Sequence, residues 1–455
     1  MQRIHYDFSG VSLTDNLHKS IAMTNNMLLH YWMIYVSAMT KTDAFKPNYY
    51  LKEPSYGWIN QSNLESNRYL KSDSFLESFN EYMKSVINLH SMTESVSYAA
   101  AATNSLLGKY STDVMRGFLE MQETPHEVVY SMDDVRLLHY YQLGNNGAST
   151  KYNTPLVIVY APVNSYHIMD IRRGRSIVEH FVSAGFDVYL IDWGRQLNNK
   201  PSLSGYVNYI HQSIEYIEKI THSEGVNILG YSWGGVLSMI YSSIRQENAK
   251  NLILQSAHVD FHKDNSILAS WFRRLPLDHI VREFDNVDCR FINLALLMRN
   301  PAVHSFDAFR FGGYMNKGTL FYSQLGLDSM RIAAWMSDTP MIPSGFFRDY
   351  IGKLYQQNQL VKNDLHVTLC SEDNKPELVD LAQIKMPLLN IVDDKDDICT
   401  TPAATPINDI ATSDDKKLIN FPIGHIELSV SSDAHTKLWP QVVKWLEERS
   451  SKEDE

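Results

Sequence analysis

The segment GYSWG at residues 230–234 constrains the fold most, because it places a serine between two glycines where a strand pattern gives way to a helix pattern. The short, mostly apolar run 226–229 predicts a buried strand, and residues 235–245 predict a helix. A strand, a sharp turn and a helix in this order hold the serine hydroxyl at the edge of a sheet, and side chains at the two glycines would collide with neighbouring elements. The sequence therefore predicts Ser232 as a nucleophile and the Trp233 N–H as a donor to an oxyanion.

Strand and helix patterns alternate from about residue 128 onward. The middle strand segments are largely apolar rather than alternating, as expected of parallel strands that are covered on both faces. Helix patterns separate them, for example at 176–184 and 206–220. Together with the glycine-flanked serine, this predicts an α/β-hydrolase fold with a doubly wound, mostly parallel sheet. The predicted strands are 128–130, 135–141, 156–161, 188–192, 226–229, 252–256, 388–392 and 417–421.

The chain is longer than this fold requires, at two places. Residues 1–123 read as a helical N-terminal region without a catalytic motif, so the catalytic domain is predicted at 124–455. Within that domain, the connection at about 258–385 is far longer than an ordinary strand-to-helix loop and is rich in aromatic residues. We interpret it as a helical cap over the active site; a separate packing domain is the alternative.

Candidates for an acid and a base follow the serine in the chain order that this fold uses. Asp396 lies in the turn after the apolar strand 388–392, at the sheet edge where α/β folds place their chemistry. Asp397 and Asp260 are its rivals. His425 follows the last predicted strand and precedes the final helix. A histidine activates a serine hydroxyl, and a carboxylate orients the histidine, so these residues predict a catalytic triad.

A second oxyanion donor is expected in the loop after strand 156–161. Pro162 has no N–H group to donate. The backbone N–H of Val163 is therefore the predicted donor.

Composition excludes several classes of function. The chain has 41 basic and 52 acidic residues and a net charge of −11, which disfavours non-specific nucleic-acid binding. Its three cysteines lack metal-site spacing, and the aspartate cluster at 393–397 lacks the glycine and the glutamate of a calcium loop. We therefore expect neither a metal nor a cofactor, and a reducing cytoplasm as the compartment.

The N-terminal region shows no membrane signal. No signal peptide is recognisable in residues 1–10. The apolar run 27–39 is shorter than the ~20 residues that span a bilayer. It predicts a core helix or, alternatively, a helix that docks on a partner or an apolar surface.

Six further segments extend the pattern from about residue 124 to residue 449. With them the chain resembles a polyhydroxyalkanoate (PHA) synthase, and is most similar to the class III catalytic subunit. The segments are PHEVVY (125–130), GFDVYLIDWG (185–194), SAHVDF (256–261), LYQQNQLV (354–361), MPLLNIVDDKD (386–396) and GHI (424–426).

The resemblance implies an acyltransferase that polymerises 3-hydroxyacyl-CoA into a storage polyester, with a CoA thioester as substrate rather than cofactor. It assigns the acid to Asp396 and the base to His425. It also implies the growing polyester as a partner, an accessory synthase subunit or a second copy of the chain as another, and PHA granules in the cytoplasm as the location.

The chain departs from this family at three places. The family has cysteine where this chain has Ser232, and its Asn-Arg-Pro-Tyr segment is replaced here by NSYH at 164–167. Glu427 stands where a glycine is usual. A serine acyl-enzyme is the ordinary intermediate of ester hydrolysis, so the alternative function is a serine hydrolase, either a PHA depolymerase or an esterase. A non-catalytic granule protein is disfavoured, because it would not need all three triad residues.

Overall fold

The computed structural model describes residues 124–141, 150–196, 201–283, 286–289, 338–370 and 375–452, with positions 292, 296, 328, 331, 332, 335 and 336. The predicted helical region 1–123, with its apolar run 27–39, lies outside these residues. Most of the predicted helical cap between residues 290 and 337 also lies outside them.

One eight-stranded sheet forms the centre of the described structure. Its strand order is β1-β2-β4-β3-β5-β6-β7-β8. The pairs β1/β2 and β2/β4 are antiparallel, and all other pairs are parallel. The predicted α/β-hydrolase fold with a mostly parallel sheet is thereby confirmed. The strands are β1 (His126–Met132), β2 (Val135–Tyr140), β3 (Leu156–Val159), β4 (Val188–Asp192), β5 (Val226–Tyr231), β6 (Ala249–Gln255), β7 (Leu388–Val392) and β8 (Lys416–Asn420).

Helices connect the parallel strands and cover the sheet. α1 begins where the Ser176 side chain accepts a hydrogen bond from the Glu179 N–H at 2.8 Å, and ends at Gly185, whose φ of 97° suits glycine. The described helices are α1 (Ile177–Ala184), α2 (Leu203–Thr221), α3 (Trp233–Ile244), α4 (Ile267–Phe272), α5 (Leu277–Glu283), α6 (Ser344–Asp349), α7 (Thr401–Ala404), α8 (Ile407–Ile410), α9 (Glu427–Val430) and α10 (Trp439–Glu447), with π-helical turns at Tyr350–Gln356 and Ala434–Leu438.

The core lies on both faces of the central strands. Every residue of β3, β4, β5 and β7 is buried. Strand β8 lies at the edge of the sheet, and most of its side chains are exposed. This difference explains why the central strands are largely apolar, whereas β8 carries lysines.

The long connection between β6 and β7 packs against the central domain through aromatic rings. Phe346 packs against Tyr206 of α2, with ring centroids 4.0 Å apart and ring planes tilted by 32°. Tyr350 stacks on Trp233, the residue after the predicted nucleophile, at 4.1 Å. Such contacts are consistent with a cap that packs on the catalytic domain. The division into cap and catalytic domain remains a prediction.

A histidine pair, in which His435 is buried and His180 is half-buried, links α1 to the π-helical turn at Ala434–Leu438. His180 Nε2 lies 3.1 Å from His435 Nδ1, and His435 Nε2 donates to the Ser429 carbonyl at 2.8 Å. Burial lowers the pKa of His435 to about 4; the Ser429 hydrogen bond opposes this effect, and His180, Arg175 and Arg172 reinforce it. Burial also lowers the pKa of His180, so both rings are neutral at pH 7.

This pair predicts a loss of stability in mild acid. Because the pKa of His435 is lower in the folded state than the ~6.5 of an unfolded histidine, the unfolded chain binds the proton first as pH falls. We expect the free energy of unfolding to fall between about pH 6.5 and pH 4, by at most ~1.4 kcal/mol per pH unit for this group. Chemical denaturation at several pH values measures it. His435→Gln should flatten the dependence, whereas His366→Gln, at an exposed histidine, should not.

Candidate active site

Ser232 lies in a strained turn between β5 and α3. Its φ of 54° and ψ of −122° are unusual for a residue with a side chain, and its N–H donates to the Gln255 carbonyl at 2.8 Å. A Cβ at Gly230 would lie 2.5 Å from the Gly235 Cα, and one at Gly234 would overlap the Val159 carbonyl oxygen. The two glycines are therefore required by close backbone approach, as the sequence pattern indicates.

His425 lies in the loop after β8, directly after a glycine with a φ of 117°. Its Nε2 atom is 3.2 Å from Ser232 Oγ, and its Nδ1 atom is 2.6 Å from Asp396 Oδ2. If Nδ1 carries the proton that Asp396 accepts, the Nε2 lone pair is free to accept the serine proton. The structure thus brings the three predicted triad residues into one chain of hydrogen bonds.

The Asp396 carboxylate is fixed by the backbone around it. Its Oδ1 atom accepts hydrogen bonds from the N–H groups of Ile398 and Cys399, each at 2.8 Å, so that Oδ2 is directed at the histidine. The rival Asp260 accepts from the His262 N–H and from the Asn358 side chain instead. Asp397 is exposed, whereas only 5% of Asp396 is.

The two predicted oxyanion donors differ in their present partners. Trp233 is the first residue of α3, so its N–H group has no acceptor within the helix. The Val163 N–H, in contrast, donates to the Ala161 carbonyl at 2.8 Å. A donor role for Val163 therefore requires this bond to break when substrate binds. Residue types alone did not reveal this turn.

A small apolar cavity of about 60 Å³ adjoins the serine. Ser232 and His425 line it together with Leu268, Phe272 and Trp335 of the insertion. Ser232 and His425 are each only 6% exposed. Ser232 therefore lies beside a small, largely apolar space.

Cys399 lies beside the site but is a poor nucleophile. Burial raises the pKa of its thiol well above the ordinary value, and the charges of Asp396 and Asp264 add to this effect. Since the thiolate is the reactive form, this side chain stays inert at neutral pH. Ser232 is the nucleophile that the geometry offers.

A buried histidine–aspartate pair connects the start of the insertion to the turn that carries Asp396. His258 Nε2 and Asp264 Oδ2 are 2.7 Å apart, and both side chains are fully buried. Thr400 Oγ1 donates to Asp264 Oδ1 at 3.2 Å. Burial opposes ionisation of Asp264, but hydrogen bonds from His258 and Ser266 outweigh it and lower the pKa of the carboxyl group. The pair is thereby suited to a structural role.

Sequence reasoning missed the residues that join these segments. The Gln255 side chain donates to Ser429 Oγ at 2.9 Å, while its carbonyl receives the Ser232 N–H. Trp335 of the insertion donates through Nε1 to the Ser165 carbonyl at 2.9 Å, and Asn164 Nδ2 donates to the Trp335 carbonyl at 3.3 Å. The one signal in the sequence was Gln255, a polar residue at the end of an otherwise largely apolar strand.

Two features are absent from the described residues, a metal-binding cluster and a membrane-spanning helix. No group of three or more His, Cys, Asp or Glu side chains in this part of the chain is arranged to hold a metal ion. Among the helices of the same residues, none has the length and apolar character needed to cross a membrane.

Comparison with known proteins identifies the family. Residues 154–284 match the alpha/beta hydrolase fold family. A PhaC subunit of poly(3-hydroxyalkanoate) polymerase from Haloarcula marismortui is 32% identical over 378 residues, which cover 81% of this chain and 75% of that protein. The chain belongs to the PhaC family. The PhaC subunit of Allochromatium vinosum is 31% identical over 332 residues, or 72% of this chain and 89% of that protein. The PhaC subunit of Haloferax mediterranei is 32% identical over 338 residues, which cover 72% of this chain and 65% of that protein.

The resemblance found in the sequence is therefore confirmed, and with it the enzyme class, an acyltransferase of the poly(3-hydroxyalkanoate) polymerase type. The relatives align over lengths similar to the segment 124–449 that carries the resemblance. Family membership does not assign catalytic roles to individual residues of this PhaC relative. Those roles rest on the geometry of Ser232, His425 and Asp396.

Asp396 and Asp397 offer a matched test of the acid. Asp396→Asn should lower the rate of CoA release from 3-hydroxybutyryl-CoA by ~10⁴-fold, because an amide favours the wrong histidine tautomer. Asp397→Asn makes the same chemical change at an exposed neighbour and should retain the rate within ~3-fold. A crippled Asp397→Asn beside an active Asp396→Asn would reassign the acid.

Proposed function

We propose that the protein polymerises 3-hydroxyacyl groups from CoA thioesters into a polyester through an acyl-enzyme on Ser232. The observation that carries the proposal is the hydrogen-bonded chain Ser232 Oγ–His425–Asp396, with distances of 3.2 Å and 2.6 Å, in a member of the PhaC family. A nucleophile and its base within hydrogen-bonding reach, with a carboxylate orienting the base, are the parts that covalent acyl transfer needs.

The first step acylates the serine. Ser232 Oγ attacks the thioester carbonyl while His425 Nε2 takes its proton, and Asp396 stabilises the imidazolium. The tetrahedral oxyanion faces the Trp233 N–H at the positive end of α3. When the carbon–sulfur bond breaks, His425 returns the proton to the leaving thiolate, so the products are CoA and an ester on Ser232.

The second step extends the chain. The 3-hydroxyl group of the next 3-hydroxyacyl-CoA loses its proton to His425 and attacks the Ser232 ester. The serine oxygen leaves and recovers a proton from His425, and the elongated thioester then acylates Ser232 again with release of CoA. Each turn of the cycle converts one thioester into one oxoester, which drives polymerisation.

The surroundings of the serine favour transfer over hydrolysis. The cavity of about 60 Å³ is lined by Phe272, Leu268 and Trp335, so little water reaches the acyl-enzyme. Ester hydrolysis is the second candidate function because residue 232 is a serine, and a serine ester is the usual intermediate of ester hydrolysis.

The product suggests where the protein acts and with what. A high-polymer ester is insoluble in water, so an enzyme bound to its growing chain stays at the polymer surface. We therefore extend the proposal to association with polyester granules, and to an accessory subunit or a second copy of the chain as a partner. Fractionation of granules from producing cells and size measurement of the purified protein test these two points.

Replacement of the nucleophile separates synthase from hydrolase. Ser232→Ala should reduce CoA release by on the order of 10⁶-fold without loss of folding. Ser232→Cys should retain or increase polymer formation, because His425 ionises a thiol, with a pKa near ~8.5, far more readily than a hydroxyl. The measurements are CoA release, polymer yield and hydrolysis of a soluble ester for the wild type and both variants.

Polymer from the wild type and from Ser232→Cys is the expected result. A hydrolase adapted to serine would instead cleave ester efficiently as the wild type, yield no polymer from either protein, and lose cleavage in Ser232→Cys. Unchanged turnover in Ser232→Ala would exclude Ser232 as the acyl carrier.

A further inference from the structure

Asp393 is a buried carboxylate at the end of β7 that the catalytic steps do not use. Only 1% of it is exposed. Its Oδ1 atom accepts the Lys395 N–H at 2.7 Å. Its Oδ2 atom accepts the Ile423 N–H at 3.1 Å and also the Gly424 N–H. The carboxylate thus has three backbone donors, all of them charge-assisted hydrogen bonds.

These donors come from two separate segments that carry the acid and the base. Lys395 precedes Asp396, whose own N–H donates to the Asp393 carbonyl at 3.0 Å. Gly424 precedes His425 and has a φ of 117°, a conformation that glycine adopts readily. One side chain therefore joins the turn of the acid to the loop of the base.

If Asp393 served only to close the turn after β7, the hydrogen bond to the Lys395 N–H would be sufficient. The bond to the Lys395 N–H closes the local turn, as aspartate side chains commonly do. The second oxygen is not needed for that turn, and its donors lie about thirty residues away along the chain. This oxygen acts on the loop of His425.

We propose that Asp393 is a positioning residue, which holds His425 at its working distance from Ser232 and Asp396. The inference rests on the proposed function only for the identity of the triad. Its reason is mechanical: His425 must reach Ser232 at 3.2 Å and Asp396 at 2.6 Å simultaneously, and the loop that carries it is fastened to β7 through Asp393.

Asp393→Asn tests the proposal with the smallest change in shape. An amide offers one oxygen, so its NH₂ group must face either the Lys395 N–H or the Ile423 and Gly424 N–H groups. We expect kcat for CoA release and the rate at which a fluorophosphonate labels Ser232 to fall together by ~10–100-fold, with KM changed less than ~3-fold. Asp394→Asn is the matched control, since its exposed carboxylate contacts Thr401 and Asn420 instead; it should stay within ~2-fold.

A second background separates positioning from simple stability. If Asp393 acts through His425, Asp393→Asn should cause no further loss of fluorophosphonate labelling when His425 is already alanine. A merely structural role would lower labelling by the same factor in both backgrounds. Rates are expressed per folded molecule, determined by circular dichroism. If Asp393→Asn does not accumulate as folded protein, the same comparison uses Asp393→Ser, whose hydroxyl retains one acceptor.

Wild-type labelling in Asp393→Asn, or an equal loss in both backgrounds, would overturn the proposal. Its failure is distinguishable from failure of the synthase function, because labelling of Ser232 needs no polymer product. A wild type that is labelled but makes no polymer would refute the synthase and leave the comparison of Asp393 variants intact.

Discussion

The hydrogen bond of 2.6 Å between His425 and Asp396 is the interaction on which the site depends. It joins the loops that follow β8 and β7, two neighbouring parallel strands whose carboxyl ends meet at one edge of the sheet. The strand that precedes Ser232 ends at the same edge, two positions further along the sheet. The register of the parallel sheet thus brings together three residues from distant parts of the chain. The site is assembled by the fold, and the loops adjust only the last few ångströms.

Local residue patterns correctly predicted the strands that are buried on both faces of the sheet. The predicted bounds of β4 (Val188–Asp192) and β7 (Leu388–Val392) agree with the structure, because every side chain in them is buried and most of these side chains are apolar. β6 starts at Ala249, earlier than its apolar run suggests, since the exposed Lys250 interrupts the pattern while the backbone continues to pair with β5. Periodicity reports burial, and it misses strand residues whose side chains face solvent.

The site was only partly predictable for a related reason. The triad residues could be found because chain order and strand ends restrict them. The cluster at 393–397 shows the limit: Asp393 and Asp396 are both buried, yet one accepts only backbone N–H groups and the other directs an oxygen at His425. Which N–H groups surround each carboxylate depends on a turn and on a loop from elsewhere in the chain. The bond between Val163 and Ala161 is hidden from the sequence in the same way.

If Ser232 carries the acyl group, as proposed, in place of the cysteine that the family resemblance implies, the choice between transfer and hydrolysis depends less on the energy of the acyl-enzyme and more on which nucleophile reaches it. A thioester on cysteine is higher in energy than the polyester, whereas an ester on Ser232 is similar in energy to each ester of the product. The acyl-enzyme itself therefore supplies little driving force for chain extension, and the drive comes from the CoA thioester that reloads the serine. Under the proposed mechanism, the competition between water and a hydroxyacyl thioester is then a matter of access to Ser232, beside which the insertion residues Phe272 and Trp335 line a cavity of about 60 Å³. The proposal therefore places the choice between building and cleaving ester bonds in the insertion.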